Sequence, residues 1–282
     1  MASTGATALA DSIFAEIVDS VMVRELRPAM TSRSFVRFGA KGPSQVHSFP
    51  LWGDPGAAGA LTNDLSEISS TALSDTEASA TAAGVGFRVD VTDFVREIHA
   101  SSANLYSEVG MMVARSVAER WETDLAALMD DFSNVTTAGG TNTPTAFLAA
   151  VSALEQRDIP APYVGYLDPK QTGELRAELA ATTAVFQIGK NEDIVRPFGD
   201  SGFFGTLYGV PIWQTSLVVT TSGQVGGAVF NSRDAIGGYI VIDQRLETQR
   251  DASFQALEFV GSMWYGLVEI SDTRGQGLDS VA

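Results

Sequence analysis

Residues 102–132 read SANLYSEVGMMVARSVAERWETDLAALMDDF, and this stretch decides the fold. Leu105, Val109, Val113, Val117, Trp121, Leu125, Leu128 and Phe132 recur at steps of four, with a single step of three. That spacing predicts one helical face held over the whole length. Ser101 or Ser102 supplies the N-cap oxygen. Arg115 and Glu119, and Arg120 and Asp124, are spaced to pair on the other side. At about 1.5 Å per residue the helix spans ~45 Å. A helix that long is a spine on which other elements hang.

Outward from the spine, 134–143 is a Gly/Thr/Asn linker and a boundary. Upstream, 53–86 is mostly Ala, Ser, Thr and Gly, with acids Asp54, Asp64, Glu67, Asp75 and Glu77 and no Lys or Arg between Lys41 and Arg88. Such a segment buries too little apolar surface to offset its ordering entropy. It predicts an extended flap that becomes ordered against another subunit. Residues 35–52 and 87–92 alternate as strands, expected to pair at the base of the flap, with Pro50 marking an edge. Residues 9–26 carry Leu9, Ile13, Ile17, Val18 and Val21 on one helical face, stopped by Pro28.

Beyond the linker, helical and extended segments alternate. Thr143-Pro144 starts a helix through Leu154. Tyr163–Leu167 is a short buried strand, and Asp168-Pro169 caps the next helix. Val210–Trp213, Leu217–Val219 and Ala228–Phe230 are strand-like, with a helical turn at Ser232–Ile236. Residues 239–270 are β-rich, with a middle that reads as helix or strand. The tail from Ser271 is polar and Gly-rich.

Composition narrows the function. The chain has 282 residues, with 18 basic and 34 acidic, a net charge of −16. That balance argues against general nucleic-acid binding and against docking on anionic membranes. Charged residues are only 18%, so the surface is rich in small polar residues. With no cysteine and only His47 and His99, thiolate metal sites and three-His sites within one chain are excluded. No apolar run approaches the ~18 residues of a membrane span, and the N-terminus lacks signal-peptide character. These features predict a soluble protein with no membrane partner. No phosphate loop, dinucleotide fingerprint or metalloprotease motif occurs. Gly199-Asp200-Ser201-Gly202 resembles the nucleophile loop of a serine protease, with His99 as candidate base, but His99 lies just before the spine helix and Phe203-Phe204 follow where such enzymes carry another Gly. His47 reads as a boundary residue, and Trp213, Trp264 and Tyr265 as core. The flap acids lack the ligand spacing of a Ca²⁺ loop.

The order of parts resembles the major capsid protein of tailed phages, the Hong Kong 97-like fold. The resemblance rests on Tyr166-Leu167-Asp168-Pro169, on Leu207-Tyr208-Gly209-Val210-Pro211-Ile212, and on Glu247–Asp251 followed by Gly266-Leu267-Val268, in that order after flap and spine. It implies an α+β fold: arm 1–40, extended loop 41–92, peripheral domain 93–140 with the spine helix, axial domain 141–239, and peripheral return strands 240–282. It further implies a non-enzymatic subunit, without metal or cofactor, of an icosahedral shell enclosing double-stranded DNA. Its partners would be further copies in pentamers and hexamers, a separate scaffolding protein during assembly, a portal protein, and DNA held without sequence-specific contact. There is room for a decoration protein. The expected location is the virion, with assembly in the host cytoplasm. The flap has no Lys, so the Lys–Asn crosslink of some members is not expected. About 40 residues precede the loop, too few for a folded scaffold domain. Arg115 or Arg120 on the spine is matched in charge to Asp64, Glu67, Asp75 or Glu77 of a neighbouring flap. The alternatives are an encapsulin-like compartment, and a soluble serine hydrolase using Ser201 and His99.

Overall fold

The computed structural model describes residues 32–53, 70, 72–98, 102–137, 140–181, 203–218, 220–221 and 223–281. In chain order the strands are β1 (Arg37–Phe38), β2 (Val46–Trp52), β3 (Asp75–Thr81) and β4 (Ala83–Thr92), then helices α1 (Asp93–Ile98) and α2 (Ser102–Asp130). After these come β5 (Val135–Thr137), α3 (Pro144–Glu155), β6 (Tyr163–Leu167), α4 (Pro169–Ala181), β7 (Phe203–Leu207), β8 (Val210–Gln214) and β9 (Thr220–Thr221). The chain ends with β10 (Gln224–Asn231), β11 (Ile236–Asp251), β12 (Ala256–Glu269) and β13 (Gly275–Val281).

The four-residue spacing of the spine sequence becomes burial. Leu105, Val113, Val117, Trp121 and Leu125 are each at most 1% exposed along α2. At roughly 1.5–3 kcal/mol per buried large side chain, this stripe holds the helix to a four-stranded sheet of order β1-β11-β12-β4. The helix approaches β12 closely where Gly261 faces Val113; a Cβ on Gly261 would lie 2.6 Å from Val113 Cγ1.

A seven-stranded sheet, order β5-β13-β10-β6-β8-β7 with β9 on β10, forms the second layer. All five residues of β6 are buried, which explains its unbroken apolar run. Thr143 Oγ1 accepts the Ala146 N–H at 3.2 Å and Pro144 occupies the first turn of α3. Asp168 Oδ1 accepts the Lys170 N–H at 2.7 Å and caps α4. Phe147, Leu154, Leu167, Leu175, Ile212 and Val229 fill the core between these helices and the sheet.

The two layers share a core. Trp121, Leu125, Met129 and Phe132 from the C-terminal half of the spine pack with Val164, Tyr166 and Phe230 of the second sheet and with Met263 and Tyr265 of β12. Phe35 and Val36 are buried in the same cluster. The last residues of the expected arm are therefore part of the body.

Several expectations are corrected. The strand at 46–52 pairs with β3, from Trp52↔Asp75 to Val46↔Thr81, and not with 87–92. The latter belongs to β4 and pairs with β12. Residues 75–81 lacked an apolar alternation to read, because only Ala80 of that strand is buried. Residues 135–137, expected as linker, form β5 on β13. Leu217 lies in a turn, and the strand comes later, at Thr220–Thr221. Residues 232–234 make a turn closed by Ala235 N–H to the Asn231 carbonyl at 3.3 Å. The ambiguous stretch after 254 is extended. The tail does not return wholly to the spine side: β13 lies between β5 and β10, because Leu278 fills the second core. Trp264 is 43% exposed, not core, and its ring lies flat over Gly84, where a Cβ would be 2.9 Å from the indole. The helix expected at 9–26 lies outside the described residues.

Candidate inter-subunit surfaces

The β2–β3 hairpin is rooted at one end only. Phe49, Ala80 and Ala82 pack with Tyr239 and Ile270. The His47 ring stacks on Tyr239, centroids 5.2 Å apart and planes at 19°, so this histidine is a boundary residue as expected. Tyr239 OH donates to the Ser44 carbonyl at 2.7 Å and accepts the Gly42 N–H at 3.3 Å. Away from this root the side chains face solvent. Trp52 is 68% and Leu73 63% exposed, and Asp75 and Glu77 are exposed on β3. Asp64 and Glu67 lie outside the described residues.

On the spine, Arg120 Nη2 reaches Asp124 Oδ1 at 2.9 Å, as the spacing predicted. Asp124 Oδ2 also accepts the Tyr265 hydroxyl at 2.6 Å. Burial, and then the hydrogen bond to Asp124, push the Tyr265 phenol well above its ordinary value. Arg115 does not pair with Glu119; its Nη1 is buried without a hydrogen-bond partner. Among the described residues, then, no ion pair joins Arg115 or Arg120 to Asp75 or Glu77.

Sequence reading passed over two buried polar groups. Glu122 is fully buried on the spine, and its Oε1 accepts the Ser32 N–H at 3.0 Å. Its Oε2 accepts the Tyr166 hydroxyl. Trp121 Nε1 donates to Ser32 Oγ at 3.2 Å. Together these bonds fix the point at which residues 32–36 enter the body, where Phe35 meets Trp213 at 5.1 Å. The available signal was an acid on the edge of an apolar stripe, four residues after Ala118 and three before Leu125. The second group lies on the sheet face away from α2. Asp90 and Glu258 stand directly opposite each other on β4 and β12. Arg88 bridges them, at 2.6 Å to Asp90 and 2.5 Å to Glu258. Like charges in register need such a cation.

Two further features bear on chemistry. A groove of about 510 Å³ beside α3 is lined by Phe35, Val151, Tyr163, Tyr208 and Pro211, with Glu155 at its margin and no histidine in its wall. Among the described residues no group of three or more His, Asp or Glu could hold a metal ion. Ser201 and His99 lie outside the described residues. No described helix is long and apolar enough to cross a membrane. Near the end of the spine, burial and the neighbouring Asp130 raise the Asp279 carboxyl above its ordinary value.

No family model and no curated protein matches the chain. Solved structures match it over nearly its full length. A chain of the structure of Mycobacterium phage Che8 superposes with a TM-score of 0.72 at 17% identity, over 93% of this chain and 96% of that one. The capsid of the cyanophage P-SCSP1u gives 0.70 at 15% identity, over 99% and 95%. The holo-SrpI encapsulin complex from Synechococcus elongatus PCC 7942 gives 0.66 at 13% identity, over 100% and 96%. Spine helix, one-ended hairpin and two sheets sharing a core thus make up the α+β Hong Kong 97-like fold of tailed-phage major capsid proteins.

Proposed function

We propose that this protein is a shell subunit of a tailed-phage head, with many copies enclosing double-stranded DNA. The observation that carries the reading is the match to phage capsid structures over almost all of both chains. The hairpin supports it: Trp52 at the end of β2 and Leu73 just before β3 are left to solvent among the described residues, and isolated hairpins are at best marginally stable in water. Contact with a neighbouring copy would bury them. The arm, loop, peripheral and axial divisions follow the sequence scheme, with residues 32–38 docked in the body and β13 assigned to the axial sheet. Assembly would draw on a separate scaffolding protein and a portal protein, with room for a decoration protein. The virion would be its location, after assembly in the host cytoplasm. The net charge of −16 suits an inner wall that does not adhere to the DNA it encloses.

Of the proposed charge contacts, Arg115 is the better spine partner for Asp75, Glu77, Asp64 or Glu67 of a neighbour, since Arg120 is already paired with Asp124. Arg115→Glu should lower shell yield, and the added change Glu77→Arg should restore part of it; a double variant no better than the single one removes the contact.

Electron microscopy of the purified protein, with and without its genomic neighbours co-expressed, tests the shell reading. Closed shells or capsomer rings support it, and monomers or dimers under every condition overturn it. The full-length match to the SrpI encapsulin complex favours an encapsulin-like compartment as second reading. Small shells with enzyme cargo and no DNA would select it. The hydrolase reading rests on Ser201 and His99, which lie outside the described residues. Unchanged behaviour of Ser201→Ala in ester-hydrolysis assays is the expected result.

A further inference from the structure

The groove beside α3 lies next to the place where the described chain begins. Ser34 and Phe35 line it, just after Ser32, the first described residue. Phe35, Val151, Tyr163 and Val210 form apolar wall, each at most 9% exposed. They come from the 3₁₀ turn Ser32–Phe35, α3, β6 and β8. The volume of about 510 Å³ falls within the ~300–1,000 Å³ of clefts that take ligands. The one charged side chain of the lining is Glu155, exposed at the last residue of α3.

Upstream of Ser32, residues 13–27 read IFAEIVDSVMVRELR; they lie outside the described residues. Ile13, Ile17 and Val21 recur at steps of four, and Arg24 and Arg27 continue the row at steps of three. That is the anchor pattern of an amphipathic segment laid in an apolar groove. A stretch of this length is marginal as a helix in water by itself, so its apolar row needs a surface.

We propose that residues 13–27 dock in this groove on their own chain, setting Ile13, Ile17 and Val21 against Phe35, Val151 and Val210, with Arg24 or Arg27 beside Glu155. The contact is independent of the shell reading. Reach favours the own chain: Arg27 is seven residues before Ser34, a span of up to about 25 Å. A tether that short holds the segment near the groove at an effective concentration of about millimolar. Charge favours it too. A segment from a second copy would arrive on another chain of net charge −16, against repulsion between the two. The cations of the row fall at the end nearest Ser34 in sequence, and the groove offers one carboxylate to meet them.

Amide hydrogen exchange over 13–27 in the unassembled protein tests the contact. These amides should exchange ~10-fold or more slowly in the parent protein than in Ile17→Asp with Val21→Asp. Ser232→Trp, whose indole would fill the groove from its wall, should free them to the same extent. Combining the changes should free the segment no further, because each removes the same contact. Glu155→Arg alters an exposed side chain, leaves the body folded, and should speed exchange by about 2–5-fold. Fast exchange of 13–27 in the parent protein overturns the proposal. Slow exchange that survives both Ser232→Trp and Glu155→Arg overturns it too, since the segment would then lie elsewhere. Protection should be the same at every protein concentration. Protection lost on dilution assigns the groove to a second copy and overturns the own-chain contact.

Discussion

The spine helix and the β2–β3 hairpin differ in what holds them. The helix buries one side chain per turn, from Leu105 to Leu125, against sheets of its own chain. The hairpin buries Phe49 and Ala80 at its root and exposes Trp52 and Leu73 away from it. One element is finished within the protomer; the other presents apolar surface that no other described residue covers. Stability and assembly should therefore respond to different residues.

The comparison can be broken most directly at the spine. Trp121→Ala removes a fully buried indole packed 4.8 Å from the Tyr265 ring. It should cost the unassembled protein about 3–5 kcal/mol, read as a lower urea midpoint. An unmoved midpoint would mean the shared core is not what holds the two layers. Glu122→Ala leaves the Ser32 N–H and the Tyr166 hydroxyl without their acceptor and should cost about 2 kcal/mol. Glu122→Gln, which keeps an acceptor oxygen, should recover part of that. Equal losses in both variants would show that packing, not hydrogen bonding, fixes residues 32–36.

A smaller effect sharpens the comparison by pH. Burial raises the folded-state carboxyl of Asp279 above its unfolded value, with Asp130 adding to it. Its ionised form thus costs stability at neutral pH. That cost disappears as pH falls through the raised value toward the ordinary ~3.9. Asp279→Asn should raise the melting temperature at pH 7, by an amount worth under ~1 kcal/mol after solvent screening. Near pH 3.5 it should change nothing. A gain of the same size at both pH values would assign the effect to packing.

The smallest expected effect on the protomer falls on the hairpin. Trp52→Ser with Leu73→Ser should move unfolding by no more than about 0.5 kcal/mol, yet reduce shell formation seen by electron microscopy. A large stability loss in unassembled protein would place those side chains in a core of their own chain and erase the contrast.

How much could be read in advance follows the same division. The spine, both helix caps at Thr143 and Asp168, and the buried strand Tyr163–Leu167 were legible because local pattern and burial agree there. The partner of β2 was not. Residues 75–81 are Asp-Thr-Glu-Ala-Ser-Ala-Thr, and nothing in their side chains marks a strand; backbone pairing with Val46–Trp52 makes them one. Trp264 was misplaced because size suggests burial, while the glycine at 84 lets the indole lie on the surface. The candidate contacts were legible as charges only. Which arginine is already occupied depends on Asp124, which touches Arg120 and Tyr265 at once.

The sequence by itself determined the elements whose stability is local: a long amphipathic helix, capped shorter helices, strands with apolar alternation, and an acidic stretch without cations. Periodicity and capping are short-range, so they survive in a linear reading. Only the tertiary structure decided which strands meet and which edges stay open. It took β13 into the second sheet, seated residues 32–36 on Glu122, and, among the described residues, left one side of β4 unpaired. Those outcomes rest on hydrogen bonds and packing between residues up to two hundred positions apart, and no local spacing encodes them.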